Sequence, residues 1–69
     1  MDKFPKILKY LREEKELTQV ELAQKLGYKT HNTIGLWENG RRVPDIENFI
    51  LIANFFDVTI DYLVGREKM

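Results

Sequence analysis

The chain has 69 residues, eleven basic residues balanced by eleven acidic ones, and 43% hydrophobic residues, a length and mixture that support one small globular core. It contains no cysteine and no serine, which excludes disulfides, a thiolate metal site and a cysteine or serine nucleophile. A single histidine and scattered carboxylates make neither a zinc site nor a paired-carboxylate centre, so neither a metal nor an enzyme activity is expected.

The punctuation of the chain predicts an all-α fold of five short helices. The first spans about Lys3 to Lys15, with Asp2 as N-cap and Pro5 tolerated in the first turn. Phe4, Leu8 and Leu11 share one face, which Ile7 widens. The second helix opens on Thr18-Gln19-Val20-Glu21, a capping box, with Leu17 and Leu22 placed as a hydrophobic staple. Leu22, Ala23 and Leu26 are its expected core positions, and Gly27 its stop.

After the turn Gly27-Tyr28-Lys29, a third helix is predicted from Thr30, as N-cap, to Asn39, with Ile34 and Trp37 buried and Gly40 as the stop. Asp45 caps a fourth helix, Ile46 to about Phe56, whose predicted core stripe is Ile46, Phe49, Ile50, Ala53 and Phe56. On that phase Leu51 and Phe55, four apart, form an outward apolar ridge. Thr59 caps a last short helix, Ile60 to Val64, ended by Gly65. Domain organisation is one unit over residues 1–65 with a short tail at 66–69.

The longest apolar run, Phe49 to Ala53, is too short to cross a bilayer, and Met1 to Pro5 lacks the apolar core of a signal peptide. A cytoplasmic location is therefore expected, with no membrane partner. Charge is unevenly spread. Lys25, Lys29, Arg41 and Arg42 outweigh Glu21 and Glu38 in the middle of the chain, whereas from Asp45 onward Asp45, Glu47, Asp57, Asp61 and Glu67 outnumber Arg66 and Lys68. A locally basic field over a neutral chain remains compatible with a polyanionic partner.

Two short helices joined by a tight glycine-containing turn, with the small Ala23 allowing close approach, form a helix-turn-helix. Leu17-Thr18-Gln19, Glu21-Leu22-Ala23-Gln24-Lys25-Leu26-Gly27, Thr33-Ile34 and Trp37-Glu38-Asn39-Gly40 resemble the lambda repressor and Cro family. Pro44, the helix after it and Asp61-Tyr62-Leu63-Val64-Gly65 continue the resemblance, which covers about Phe4 to Gly65. It implies the five-helix lambda repressor-like fold, double-stranded DNA as partner, and no cofactor or small-molecule ligand.

Residue roles follow where positions match the family's motif. Gln19, Asn39, Arg41 and Arg42 are expected at phosphates, together with Lys29 and Thr30 beside the start of the third helix. His31, Asn32, Thr33 and Leu36 are expected to face base edges. Arg12 and Glu38 match a structural ion pair. Three positions depart from the pattern. Tyr28-Lys29-Thr30 makes the turn one residue longer, with Tyr28 preferred for its apolar slot. Gly35-Leu36 replaces a polar pair, and Glu16 stands where relatives often have glycine.

The leading expectation is a sequence-specific repressor that binds an inverted repeat as a homodimer, with Leu51, Phe55, Tyr62 and Val64 as the partner surface. The alternative is a protein-interaction or antitoxin-like module on the same fold with weak DNA binding, suggested by the neutral charge and the apolar ridge.

Overall fold

The computed structural model describes residues 3–29 and 32–66. Its elements are α1 (Phe4–Glu14), α2 (Gln19–Lys25), α3 (Asn32–Glu38), α4 (Ile46–Phe56) and α5 (Ile60–Leu63), with no strand among the described residues. No helix is long and apolar enough to cross a membrane.

Local capping explains most of the boundaries. The Thr18 hydroxyl accepts from Glu21 N at 3.1 Å, and Glu21 Oε1 accepts from Thr18 N at 2.8 Å, so the capping box is complete. Asp45 accepts from Asn48 N, and Thr59 from Tyr62 N, opening α4 and α5. α1 differs from expectation. Lys3 occupies its cap position and makes no side-chain capping bond, while Asp2 lies outside the described residues. α3 ends at Glu38, one residue earlier than expected, with Asn39 in the turn; its expected start, at Thr30 and His31, lies outside the described residues.

α1 packs on α3 and α5, α2 on α3, and α4 on α5. These contacts enclose one core, in which Phe4, Leu8, Leu22, Ile34, Ile52 and Leu63 are fully buried and Trp37 nearly so. Phe4 meets Phe49 edge-on at 5.1 Å between ring centroids, an arrangement worth ~1 kcal/mol beyond simple burial. Gly65 closes the α1–α5 contact with φ +81°, and a Cβ there would lie 2.4 Å from the Lys3 side chain.

α4 corrects the predicted stripe. Its buried residues are Phe49, Ile52, Ala53 and Phe56, whereas Ile46 is 62% and Ile50 46% exposed. The real core face is turned by about half a residue step, ~50° at 100° per residue. That turn brings Ile52 inward and swings Ile46 and Ile50 out. The expected outward ridge is only half present. Leu51 is exposed, but Phe55 is half-buried against the core, edge-on to Phe56, with the Lys15 ammonium 5.8 Å from its ring centroid.

Candidate nucleic-acid interface

α3 has two faces with different chemistry. The inner face carries Ile34 and Trp37 into the core and ends on Glu38. Glu38 accepts two hydrogen bonds from Arg12, Nε to Oε2 at 2.6 Å and Nη2 to Oε1 at 3.0 Å. Both side chains are largely withdrawn from water, and the paired, fork-shaped geometry is the strong form of this contact. Glu38 holds the Arg12 guanidinium above its ordinary pKa, partly opposed by burial. Arg12 Nη1 also donates to the Leu17 carbonyl at 2.7 Å, so one guanidinium ties α1 both to the chain entering α2 and to the end of α3.

Gln19 joins this cluster, its Nε2 donating to Glu38 Oε1 at 3.0 Å. The first residue of α2 therefore braces the last residue of α3. Because an ionised carboxylate only accepts, the Gln19 amide nitrogen must face Glu38. Its carbonyl oxygen then turns toward Gly35, 3.5 Å from where a Cβ at that residue would sit.

The outer face is an open cleft of about 330 Å³ lined by Gln19, Asn32, Gly35, Leu36 and Asn39. The last four lie at helical spacing along one stripe. The stripe carries two carboxamides, one leucine and one missing side chain, and no charge. Carboxamides offer both donor and acceptor to a base edge, and an isobutyl group suits a thymine methyl.

Of the residues expected at phosphates, Gln19 and Asn39 line this cleft. Lys29, Arg41 and Arg42 are exposed. The Asn39 side-chain oxygen accepts from Arg41 N at 3.0 Å, which leaves its amide hydrogens to point outward. Thr33 is half-buried and is not part of the cleft lining. His31 and Thr30 lie outside the described residues.

Tyr28 fills the apolar slot of the turn, with its ring 5.7 Å from Trp37 and edge-on, while Lys29 is exposed. Its hydroxyl donates to Asn48 Oδ1 on α4, a partner that sequence reasoning missed. The available signal was local: Asn48 is the third residue of a helix capped by Asp45, and a side chain there stands next to the cap. Burial, and then the nearby Asp45 carboxylate, push the Tyr28 phenol above its ordinary pKa, so it remains a donor at neutral pH. Glu16 adopts φ +57°, a conformation that glycine takes without a Cβ penalty, in line with the glycine that the family resemblance implies there. Among the described residues no group of three or more acidic or histidine side chains is placed to hold a metal ion.

The Helix-turn-helix family profile matches residues 8–63. The chain belongs to the Cro-like helix-turn-helix family. It is 41% identical over 66 residues to the HTH-type transcriptional activator BcrR of Enterococcus faecalis, a match covering 96% of this chain and 32% of BcrR. It is 42% identical over 65 residues to the HTH-type transcriptional regulator YqaE of Bacillus subtilis, covering 94% of this chain and 55% of that protein. The match to Bacillus subtilis ImmR, also an HTH-type transcriptional regulator, is 33% over 64 residues, covering 93% and 50%. The chain thus spans from about a third to just over half of the length of these relatives. They are named as transcriptional regulators and not as enzymes. No solved structure matches the chain significantly. As a helix-turn-helix domain it is built to bind DNA.

Proposed function

We propose that this helix-turn-helix domain is the DNA-reading part of a transcriptional regulator that binds an inverted repeat as a homodimer and represses by occluding promoter DNA. The observation that carries the reading is the uncharged outer stripe of α3, flanked by exposed cations. Asn32 and Leu36, with His31 and Thr33, read base edges. Gln19, Lys29, Thr30, Asn39, Arg41 and Arg42 hold the phosphates. A good two-bond carboxamide contact to adenine discriminates by ~1–3 kcal/mol.

A two-fold dimer would set two copies of α3 one turn of DNA apart, ~34–36 Å. Leu51, exposed on α4, is the centre of the proposed partner surface, with Phe55, Tyr62 and Val64, all half-buried, at its margin. Repression is favoured over activation because occlusion needs only the DNA-binding face.

One observation favours a second reading, a protein-interaction module. The chain carries no net charge, and Gly35-Leu36 stands where the family resemblance implies a polar pair. Salt separates the two. In vitro selection of random duplexes, followed by anisotropy titration against salt, should recover an inverted repeat and an affinity that falls steeply as salt rises. No enriched sequence, or binding indifferent to salt, would hand the case to the interaction module. Sedimentation of the protein with the selected duplex should show two protomers per inverted repeat, and one per repeat would remove the dimer.

A further inference from the structure

The turn between α2 and α3 is tied to α4 by a run of polar contacts that the core does not need. Tyr28 N donates to the Ala23 carbonyl at 2.9 Å, which fixes the residue directly after α2's glycine stop. Its ring lies edge-on against Trp37 on the inner face of α3. Its hydroxyl donates to Asn48 Oδ1. The Asn48 Nδ2 then donates to Asp45 Oδ1 at 2.9 Å, the same oxygen that accepts from Asn48 N at 2.9 Å to cap α4. The backbone bond alone caps the helix. The Asn48 side chain is therefore free of any capping duty, and its role is to join Asp45 to Tyr28.

α3 meets Tyr28 through Trp37, one residue before Glu38. Its C-terminal end is fixed by the Arg12–Glu38–Gln19 cluster. At seven residues, α3 is much shorter than the ~12–15 residues at which an isolated helix becomes marginally stable, so its direction is set by what it packs against. Asn32 lies at the other end of α3 from Trp37 and Glu38. A small swing about the Glu38 end displaces Asn32 most, and base reading tolerates only ~0.5 Å of misplacement.

We infer that Tyr28 is a positioning residue for DNA reading: through Trp37 on one side and Asn48 on the other it ties α3 to α4, and so sets the angle at which α3 presents Asn32 to a base edge. This rests on the reading of α3 as the DNA-contacting helix. The residue in the apolar slot of the turn thus becomes its strut.

The test uses Tyr28→Phe, which keeps the ring on Trp37 and removes only the hydroxyl, with Asn48→Ala and the double variant. Affinity is measured by anisotropy, well below the melting temperature, on the duplex selected by the wild-type protein and on a scrambled duplex of equal length. Each single variant should lose about fivefold or more on the selected duplex, the lower end of a base contact's worth, and nothing on the scrambled one. The double variant should lose no more than the worse single, because both remove one connection. Wild-type affinity of Tyr28→Phe for the selected duplex would overturn the inference. So would an equal loss on both duplexes, or a lowered melting temperature with the preference intact, since either describes a merely structural contact. Tyr28→Phe decides the matter alone if Asn48→Ala does not fold. A wild-type protein that prefers no duplex would instead overturn the underlying DNA reading, a result distinguishable from the others because it needs no variant.

Discussion

The two faces of α3 obey opposite rules. The inner face is fully specified: Ile34 and Trp37 are 0% and 3% exposed, and Glu38 is held by three side-chain hydrogen bonds from α1 and α2. The outer face is open, uncharged and lightly bonded, with a glycine at its centre. Substitution inside has to preserve volume and charge pairing. Substitution outside costs the fold little and changes what is read. A recognition helix needs this division, because a rigid inner face lets the outer one vary without moving.

The sharpest way to break the comparison is Glu38→Ala. It leaves the Arg12 guanidinium buried beside no carboxylate, a loss of ~3–5 kcal/mol. Thermal or urea unfolding should show it as the largest destabilisation in this set. Loss of a fraction of that size would mean that water reaches Arg12 and that the inner face is less fixed than described. Asn32→Ala is the opposite case. It should weaken binding to the selected duplex by ~1–3 kcal/mol and flatten the preference at one base pair, while the melting temperature hardly moves. A fall in stability comparable to the fall in affinity would make Asn32 a folding residue.

Thr18→Ala tests the scaffold that presents Gln19. Loss of the cap should cost ~1 kcal/mol by chemical denaturation. Its reciprocal partner makes this cap sensitive to acid. The hydrogen bonds from Thr18 hold the Glu21 carboxyl below its ordinary pKa, so ionised Glu21 stabilises the fold above the ordinary glutamate value. That contribution is lost as pH falls through and below that range. Wild-type stability should therefore drop across that acid window more than that of Glu21→Gln. Identical pH profiles would show that the cap bond is not formed in solution.

The smallest effect is expected at Gly35→Ala. The residue is helical, and its new Cβ would make an ordinary 3.5 Å contact with Gln19 Oε1. Relief of glycine's helix penalty should raise stability by ~0.5–1 kcal/mol. A lowered melting temperature would show that the Gln19 amide cannot shift.

Much of this architecture was readable in the chain because it is local. Thr18 with Glu21, Asp45 before Ile46, and Thr59 before Ile60 each announce a helix start through bonds that span three residues. The Arg12–Glu38 pair is separated by 26 positions and came through family resemblance, not through spacing. α4 defeated periodicity for a physical reason. Ile46, Phe49, Ile50, Leu51, Ile52, Ala53, Phe55 and Phe56 leave few polar positions to mark an outer face, so the choice between Ile50 and Ile52 as the inward residue is made by packing against α1 and α5. The tie between Tyr28 and Asn48 was invisible for the same reason. It joins two polar groups 20 residues apart, and the local signal at Asn48, its place beside the Asp45 cap, does not name Tyr28 as the partner.

The most direct test of the division between faces is the double variant Asn32→Ala/Leu36→Ala, melted and titrated in parallel with the wild-type protein. Stability close to wild type, with the loss confined to the partial burial of Leu36 since Asn32 is exposed, together with loss of preference for the selected duplex, is the predicted result. Retained preference, or a protein that no longer folds, would contradict the claim that the outer face of α3 reads DNA independently of the fold that carries it.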